Sequence, residues 1–263
     1  MMIYFMAVCH NFQHRLCWML SSILEQVHDK TKDNPHRVVT LDYPKRQLPW
    51  IVIDIAHLKD NGYPTTESCI AFFRSLGLDV RSTLIEDKEI FAKRGLVRNI
   101  QTENAKKAMA DWLFYADSDN VYHPQFFTEL ADQLKDLDNL KKVIFSRDKF
   151  HTQVEPTNEL AALARTNKHI NYAYKRALCI PRIKKANKNV AAGCCQVIHS
   201  KYVDYYVKPE ECRDRHLFKK GQRAKSDVQF RNRYGQFRIM LPQQVHLNHF
   251  RDKELGYHSE EQR

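Results

Sequence analysis

Apolar residues in the first half of the chain follow two alternating patterns. Continuous apolar runs such as IYFMAV (3–8) are typical of buried strands, whereas spacings of three and four residues, as in 13–28, are typical of amphipathic helices. The pattern predicts strands at 3–8, 50–56, 79–86, 112–117 and 141–147, and helices at 13–28, 64–76, 96–110 and 124–137. This alternation predicts an α/β fold, with a mixed, mostly parallel sheet flanked by helices.

Other segments are less regular. RVVTL (37–41) is a surplus strand candidate, and WIVIDIA (50–56) is the better one. In the second half, residues 157–178 are compatible with a helix, and VAAGCCQVIHSKYV (190–203) with a buried strand or a turn. The sequence therefore predicts the first half in more detail than the second.

Composition limits the class of protein. At 263 residues and 43% apolar content, the chain is long enough to bury a sizeable core. No run of about eighteen apolar residues occurs, so no transmembrane helix is predicted. MMIYFMAV is expected to be a core strand and not a secretory signal, since basic residues follow it instead of preceding it. Seven cysteines without a CxxC pair indicate a reduced compartment, and we expect a cytoplasmic protein.

The formal net charge of +11 points to anionic partners such as nucleic acids, membrane surfaces or phosphorylated small molecules. Basic residues are densest at 175–188 and 213–225, and no nucleic-acid-binding motif accompanies them. A nucleic-acid partner would rest on charge alone and is not expected. Peripheral contact with the inner membrane face is a hypothesis from the same charge.

The clearest chemical motif is DWLFYADSDNVYHP (111–124), where an apolar strand ends at Asp117 and Asp119. Ligands of open α/β sheets bind beyond the carboxyl ends of the strands, and Asp54 is expected at the same edge. Paired carboxylates suit Mg²⁺ or Mn²⁺ together with substrate phosphate. The alternative is a solvated turn with two surface aspartates, but so apolar a strand seldom ends in paired charge without a partner.

The order of several motifs resembles family 2-like glycosyltransferases of the GT-A fold. The resemblance covers roughly residues 2–250 and rests on order and spacing, since each motif is short. The segments that carry it are WIVIDIAHLKDNG (50–62), GLVRNIQTENAKKAMADW (95–112), DSD (117–119), VAAGCCQVIHSKYV (190–203), KSDVQFRNRYG (225–235) and HLNHFRD (246–252).

The resemblance implies a single GT-A-like domain over residues 1–263, with a nucleotide-sugar donor half (1–120) and an acceptor half (121–263). It implies metal-dependent, inverting transfer of a sugar from a UDP- or GDP-sugar. The basic charge of the chain adds a hypothesis about the acceptor, a glycan or a lipid-linked molecule of cell-envelope glycan biosynthesis.

The resemblance also implies roles for individual residues. The nucleotide-sugar contacts would be Asp54, Arg98, Asn99 and Asp117. Asp117 and Asp119 would hold Mn²⁺ or Mg²⁺ together with His249, and Asp119 is the better candidate for direct metal contact. Asp227 would be the catalytic base that deprotonates the acceptor.

Each of these residues has a plainer alternative. Ser226–Asp227 stands where the family usually has Glu-Asp, and either residue is able to cap a helix. Arg98 is a helical basic residue of the kind that is usually solvated or ion-paired. Asn99 is able to bond backbone groups. Asp54 is able to cap a loop and has Asp60 as a competitor, just as His249 has His246.

The same motifs are compatible with three other classes of protein to different degrees. DSDNV also fits the D-x-D-x-V motif of haloacid-dehalogenase-like, Mg²⁺-dependent phosphatases, but that motif belongs near the start of the fold and needs a further acidic pair. A sugar nucleotidylyltransferase needs a glycine-rich loop where this chain has CHNFQHR. A non-catalytic nucleotide-sugar-binding protein stays open, although intact Asp117, Asp119 and Asp227 argue against it.

Overall fold

The structure is a computed structural model. It describes residues 1–9, 13–27, 49–59, 65–146, 149–152, 182–184, 195–212, 226–242 and 244–247. The strands are β1 Met2–Val8, β2 Trp50–His57, β3 Val80–Leu84, β4 Trp112–Ala116, β5 Asn120–Tyr122, β6 Val143–Phe145, β7 Lys149–Thr152, β8 Arg182–Lys184, β9 Cys195–His199, β10 Gln236–Arg238 and β11 Gln244–His246. The helices are α1 Gln13–Val27, α2 Thr66–Ser75, α3 Lys88–Ala92, α4 Arg94–Lys107, α5 Phe126–Leu134 and α6 Ser226–Tyr234.

Seven of the described strands form the main sheet, in the order β10-β6-β9-β4-β1-β2-β3. Strands β4, β1, β2 and β3 are parallel, whereas β9 runs antiparallel to both β4 and β6. A smaller described sheet has the order β5-β11-β7-β8. The predicted class, a mixed and mostly parallel sheet flanked by helices, is confirmed.

Side chains of β1 alternate between two apolar clusters, because successive strand residues point to opposite faces of a sheet. Ile3, Phe5 and Ala7 pack in a cluster with residues of α1, α2 and α5. Tyr4 and Met6 pack in a second cluster with residues of α4 and α6. Helices therefore cover both faces of the sheet at β1, and this strand is buried on each side.

The predicted strands and helices of the first half that fall on described residues are present, with shifted ends. The helix predicted at 96–110 begins earlier, at Arg94, and ends at Lys107, where the chain turns through Met109 at a positive φ of 56°. Helix α2 begins after Thr65, whose side chain accepts a hydrogen bond from the Ser68 amide. The short helix α3 and strand β5 were not predicted.

Several predicted elements lie outside the described residues. These are the strand candidate 37–41, the helix candidate 157–178 and the first part of 190–203. The last part of that segment forms β9. None of the helices in the described residues has both the length and the apolarity needed to cross a bilayer.

Candidate active site

The two aspartates of the DSD motif lie in a turn between β4 and β5, here called the acidic tip (residues 117–119). The Asp117 side chain is 29% exposed, whereas Asp119 is only 5% exposed. Strand β4 pairs with β1 on one side and β9 on the other, so the tip projects from the middle of the main sheet. Asp117 therefore faces solvent while Asp119 faces inward.

A segment that is distant in sequence contacts the acidic tip through its backbone. Strand β11 pairs antiparallel with β5, with His246 opposite Asn120. The Leu247 amide then donates a hydrogen bond of 2.8 Å to the Asp119 carbonyl oxygen. The backbone of the predicted metal-binding segment HLNH thus reaches the tip at Leu247. His249, like Asp60, lies outside the described residues, and its metal role stays a prediction.

Arg94 lies beside the acidic tip, although the sequence analysis did not single it out. Its Nη1 lies 3.9 Å from Asp117 Oδ1, and its side chain is 48% exposed. It is the first residue of α4, one helical turn before Arg98. The available signal was this spacing of four, which places both arginines on one helical face.

Arg98 is buried beneath the acidic tip. Its Nη1 donates to the Met6 carbonyl at 2.6 Å and to Gln101 Oε1 at 3.3 Å, and its Nη2 donates to the Ala116 carbonyl. Burial lowers the pKa of Arg98, an effect that the nearby Asp117 charge opposes. The solvated alternative for Arg98 is wrong, because the guanidinium joins the ends of β1 and β4. Its contact with a nucleotide sugar stays a prediction.

Asn99 fixes the segment that follows β9. Its Oδ1 accepts hydrogen bonds from the amides of Tyr206 (2.7 Å) and Val207 (3.0 Å), and its Nδ2 donates to the Val207 carbonyl (2.7 Å). Asn99 does bond backbone groups, but those of a segment more than a hundred residues away. Asn99 therefore positions the backbone at Tyr206 and Val207. Its direct contact with a nucleotide-sugar donor stays a prediction.

Asp227 lies in the first turn of α6, close to the acidic tip. Its backbone carbonyl accepts a 3.2 Å hydrogen bond from Gln196 Nε2. Gln196 in turn lies on β9 directly opposite Tyr115 of β4. Burial raises the pKa of Asp227, and the negative charge of Asp117 raises it further. Gln196 thus links the start of α6, which carries Asp227, to the strand that leads into the acidic tip.

The helix-cap alternative for Asp227 also has support. The Val228 amide and the amide of Asp227 itself donate hydrogen bonds to the carboxylate and lower its pKa, as does the charge of Arg231. These groups belong to the start of α6, where an acidic residue is favourable. The carboxylate is thus held in place by its own helix, and a base role for it stays a prediction.

Asp54 was expected at the end of its strand, but β2 continues for three more residues, to His57. Its side chain is fully buried and accepts hydrogen bonds from Thr83 Oγ1 (2.6 Å), Tyr4 Oη (3.5 Å) and Asn104 Nδ2 (3.5 Å). Burial raises the pKa of Asp54, and these hydrogen bonds oppose the rise. The carboxylate joins β1, β2, β3 and α4 inside the fold, and its contact with a nucleobase stays a prediction.

The end of β2 carries a different polar group, which the sequence did not reveal. His57 is buried, and its Nδ1 donates to the Leu58 carbonyl at 2.8 Å. Its Nε2 lies 3.0 Å from Ser82 Oγ and 3.2 Å from Glu67 Oε1. These contacts join β2 and the first turn of α2 to β3, the strand at one edge of the described sheet.

The described residues do not complete a metal site by themselves. Within the described ranges, no three side chains of His, Cys, Asp or Glu are grouped so that they could hold a metal ion. Asp117 and Asp119 supply two carboxylates, and further ligands would have to come from a substrate, from water or from other parts of the chain.

Comparisons with known proteins show structural similarity but no close relative. No protein-family model matches the chain, and no curated protein matches it. The mannosyltransferase PcManGT from Pyrobaculum calidifontis, solved in complex with GDP-Man and Mn²⁺, has a TM-score of 0.47 and 13% identity over 95% of this chain and 57% of that chain.

Two further solved structures are similar. A protein from Desulfovibrio desulfuricans G20 assigned as a nucleotide-diphospho-sugar transferase has a TM-score of 0.43 and 9% identity over 98% of this chain and 87% of that chain. The S. aureus TarS has a TM-score of 0.39 and 16% identity over 60% of this chain, which spans only 23% of TarS. The chain is similar to these three solved structures at TM-scores below 0.5.

Proposed function

We propose that the protein is a glycosyltransferase that transfers a sugar from a nucleoside-diphosphate sugar to a hydroxyl group, with a divalent cation and with inversion. The observation that carries the proposal is that Gln196 of β9 bonds the Asp227 carbonyl at the start of α6, while β9 pairs with β4, the strand that leads into the acidic tip. A transferase of this kind needs one carboxylate group for the cation and another for the acceptor. In the proposal, the acidic tip supplies the first and Asp227 the second.

The acidic tip has the chemistry of a site for Mg²⁺ or Mn²⁺. Carboxylate oxygens are preferred ligands of both ions, which commonly complete their coordination with substrate phosphate and water. The tip already attracts a cationic group, since the Arg94 guanidinium lies 3.9 Å from Asp117. A bound cation would neutralise the departing nucleoside diphosphate. We assign Asp117 and Asp119 to this site, and His249 as a further ligand.

Asp227 is the proposed base. Its raised pKa makes it a stronger proton acceptor than an ordinary aspartate, and the hydrogen bonds at the start of α6 fix its position. Asp227 would take the proton of the acceptor hydroxyl as that oxygen attacks the anomeric carbon. Attack from the face opposite the leaving diphosphate gives inversion in a single displacement.

The acceptor is proposed from charge. The net charge of +11 favours an anionic surface, and a lipid-linked or envelope-glycan acceptor at the inner membrane face is consistent with it. We expect the protein to bind vesicles that contain anionic lipid more strongly than neutral ones, measured by sedimentation at low and high salt. Equal partitioning onto both would remove the support for this acceptor.

The central test is a screen of UDP- and GDP-sugars for thermal stabilisation, with and without Mn²⁺. We expect one nucleotide sugar to raise the melting temperature only when Mn²⁺ is present, and Asp119→Ala to lose the effect. Asp132→Ala is the matched control, because Asp132 lies on α5 and pairs with Lys135 on the surface. Hydrolysis of phosphomonoesters without any response to nucleotide sugars would instead favour the phosphatase.

A further inference from the structure

Two arginines of α4 lie near the acidic tip, and they differ in exposure to solvent. Arg98 is buried, and its guanidinium donates to the Met6 and Ala116 carbonyls, so its hydrogen-bonding capacity serves the fold. Arg94 is 48% exposed, and the partner that defines its position is the Asp117 carboxylate at 3.9 Å. Arg94 is therefore the arginine placed to meet a ligand that approaches the tip from solvent.

The fold holds the backbone of Arg94 in place while leaving its side chain in solvent. The neighbouring Gly95 packs so closely against Val207 that an added Cβ would overlap the valine side chain. The Asn99 side chain bonds the backbone of the same segment at Tyr206 and Val207. The first turn of α4 is thus fixed, whereas exposed side chains change rotamer within nanoseconds.

We propose that Arg94 is the counter-ion of Asp117 in the ligand-free protein and moves to the donor diphosphate when a divalent cation binds the acidic tip. This inference rests on the proposed transferase function. A guanidinium beside Asp117 repels an incoming cation, whereas a diphosphate offers it bidentate, charge-assisted hydrogen bonds. Arg94 would therefore offset the charge of Asp117 before binding and contribute to donor affinity afterwards.

The proposal predicts two effects of opposite sign for Arg94→Gln. Loss of the positive charge should strengthen binding of Mn²⁺ alone, because the repulsion is gone. The same loss should weaken binding of GDP or UDP alone, because an attraction is gone. For charges a few ångströms apart at a half-exposed site, we expect each effect to be roughly 3- to 10-fold. A merely structural role for Arg94 would weaken both.

The experiment measures the Kd of Mn²⁺ alone, by electron paramagnetic resonance, and of GDP and UDP alone, by calorimetry. Arg94→Lys keeps the charge and should resemble the wild type. Lys107→Gln removes a charge from the other end of the same helix, about 20 Å away, and should change neither Kd. Arg94→Ala should repeat the result of Arg94→Gln, and the melting temperature of each variant reports its folding.

The possible outcomes separate the two proposals. Suppose that the wild type binds both Mn²⁺ and a nucleoside diphosphate. If Arg94→Gln then shifts the two Kd values in the same direction, or leaves both unchanged, the proposed role of Arg94 is wrong and the transferase proposal stands. If the wild type binds no nucleoside diphosphate, even with Mn²⁺, both proposals fail. Tighter Mn²⁺ and weaker nucleotide binding in Arg94→Gln and Arg94→Ala, but not in Arg94→Lys or Lys107→Gln, support the inference.

Discussion

Single charged residues of this protein have environments that their neighbours in sequence do not reveal. The family resemblance implied a nucleotide-sugar contact for both Asp54 and Arg98. In the structure, Asp54 bonds Thr83, Tyr4 and Asn104, and Arg98 bonds the backbone of β1 and β4. Both are nevertheless close to the site, and experiments on single residues separate a structural role from a binding role.

Asp54→Asn tests what the buried carboxylate does. The pKa of Asp54 is raised by burial, so the folded protein resists its ionisation and loses stability as pH rises from about 4, the ordinary aspartate pKa, through the raised value. Asparagine does not ionise, and its oxygen is still able to accept from Thr83. We expect the wild type to lose melting temperature relative to Asp54→Asn as pH rises from 4 to 8.

The same variant has a second readout. We expect its nucleotide affinity to stay within about twofold of the wild type, because the Asp54 carboxylate is fully buried and bonded to Thr83, Tyr4 and Asn104 inside the fold. A loss of tenfold or more, measured by calorimetry, would instead support the nucleobase contact predicted from the sequence.

Arg231→Gln tests the proposed base. The Arg231 charge lowers the pKa of Asp227, so its removal should raise that pKa further. A base is active when deprotonated, and a higher pKa moves the acid limb of the kcat/KM profile to higher pH. Arg231→Lys keeps the charge and should retain the wild-type profile. An acid limb that moves to lower pH in Arg231→Gln would argue against Asp227 as the base.

At the scale of elements, α1 holds the chain that leaves the acidic tip. Ser22 Oγ accepts a hydrogen bond of 3.1 Å from the Tyr122 amide, and Gln26 Oε1 accepts one of 3.0 Å from the Phe127 amide. Strand β5 is only three residues long, and such a short strand needs other contacts. The helix and β11 together fix the direction in which the chain leaves the tip.

Ser22→Ala should therefore destabilise the protein more than an ordinary helical Ser→Ala change. The Tyr122 amide is buried and would lose this acceptor, which costs about 1–3 kcal/mol. Ser75→Ala is the matched control, since both serines donate to a carbonyl three residues earlier in their helix but Ser75 is exposed. We expect a change below about 0.5 kcal/mol for the control. Urea unfolding measures both, and equal effects would contradict the role of Ser22.

At the scale of the whole molecule, the site depends on strands from the second half that pair with the two strands flanking the acidic tip. Strand β9 pairs with β4 and carries Gln196, which holds the start of α6. Strand β11 pairs with β5 beside the acidic tip. The proposed donor and acceptor halves thus share one sheet, and the site forms only when the whole fold is assembled.

Hydrogen exchange should report this architecture. Strand β1 is paired on both sides and covered by helices on both faces, so its amides should open only with global unfolding. Strand β10 is at an edge of the described sheet and its side chains are exposed, and its amides should exchange much faster. Mass spectrometry of peptides after timed exchange checks this order. Equal protection of β10 and β1 would contradict it.

The amino-acid sequence by itself determined the alternation of strands and helices in the first half, the burial of β4 and the pair of carboxylates at its end. These features follow from apolar spacing within a dozen residues, which is local information. Only the tertiary structure decided that β9 and β11 enclose the acidic tip, that Arg94 and not Arg98 faces it from solvent, and that Asp54 is enclosed between strands. Those outcomes depend on contacts between residues from about twenty to a hundred positions apart, and no local pattern specifies which groups such contacts leave in water.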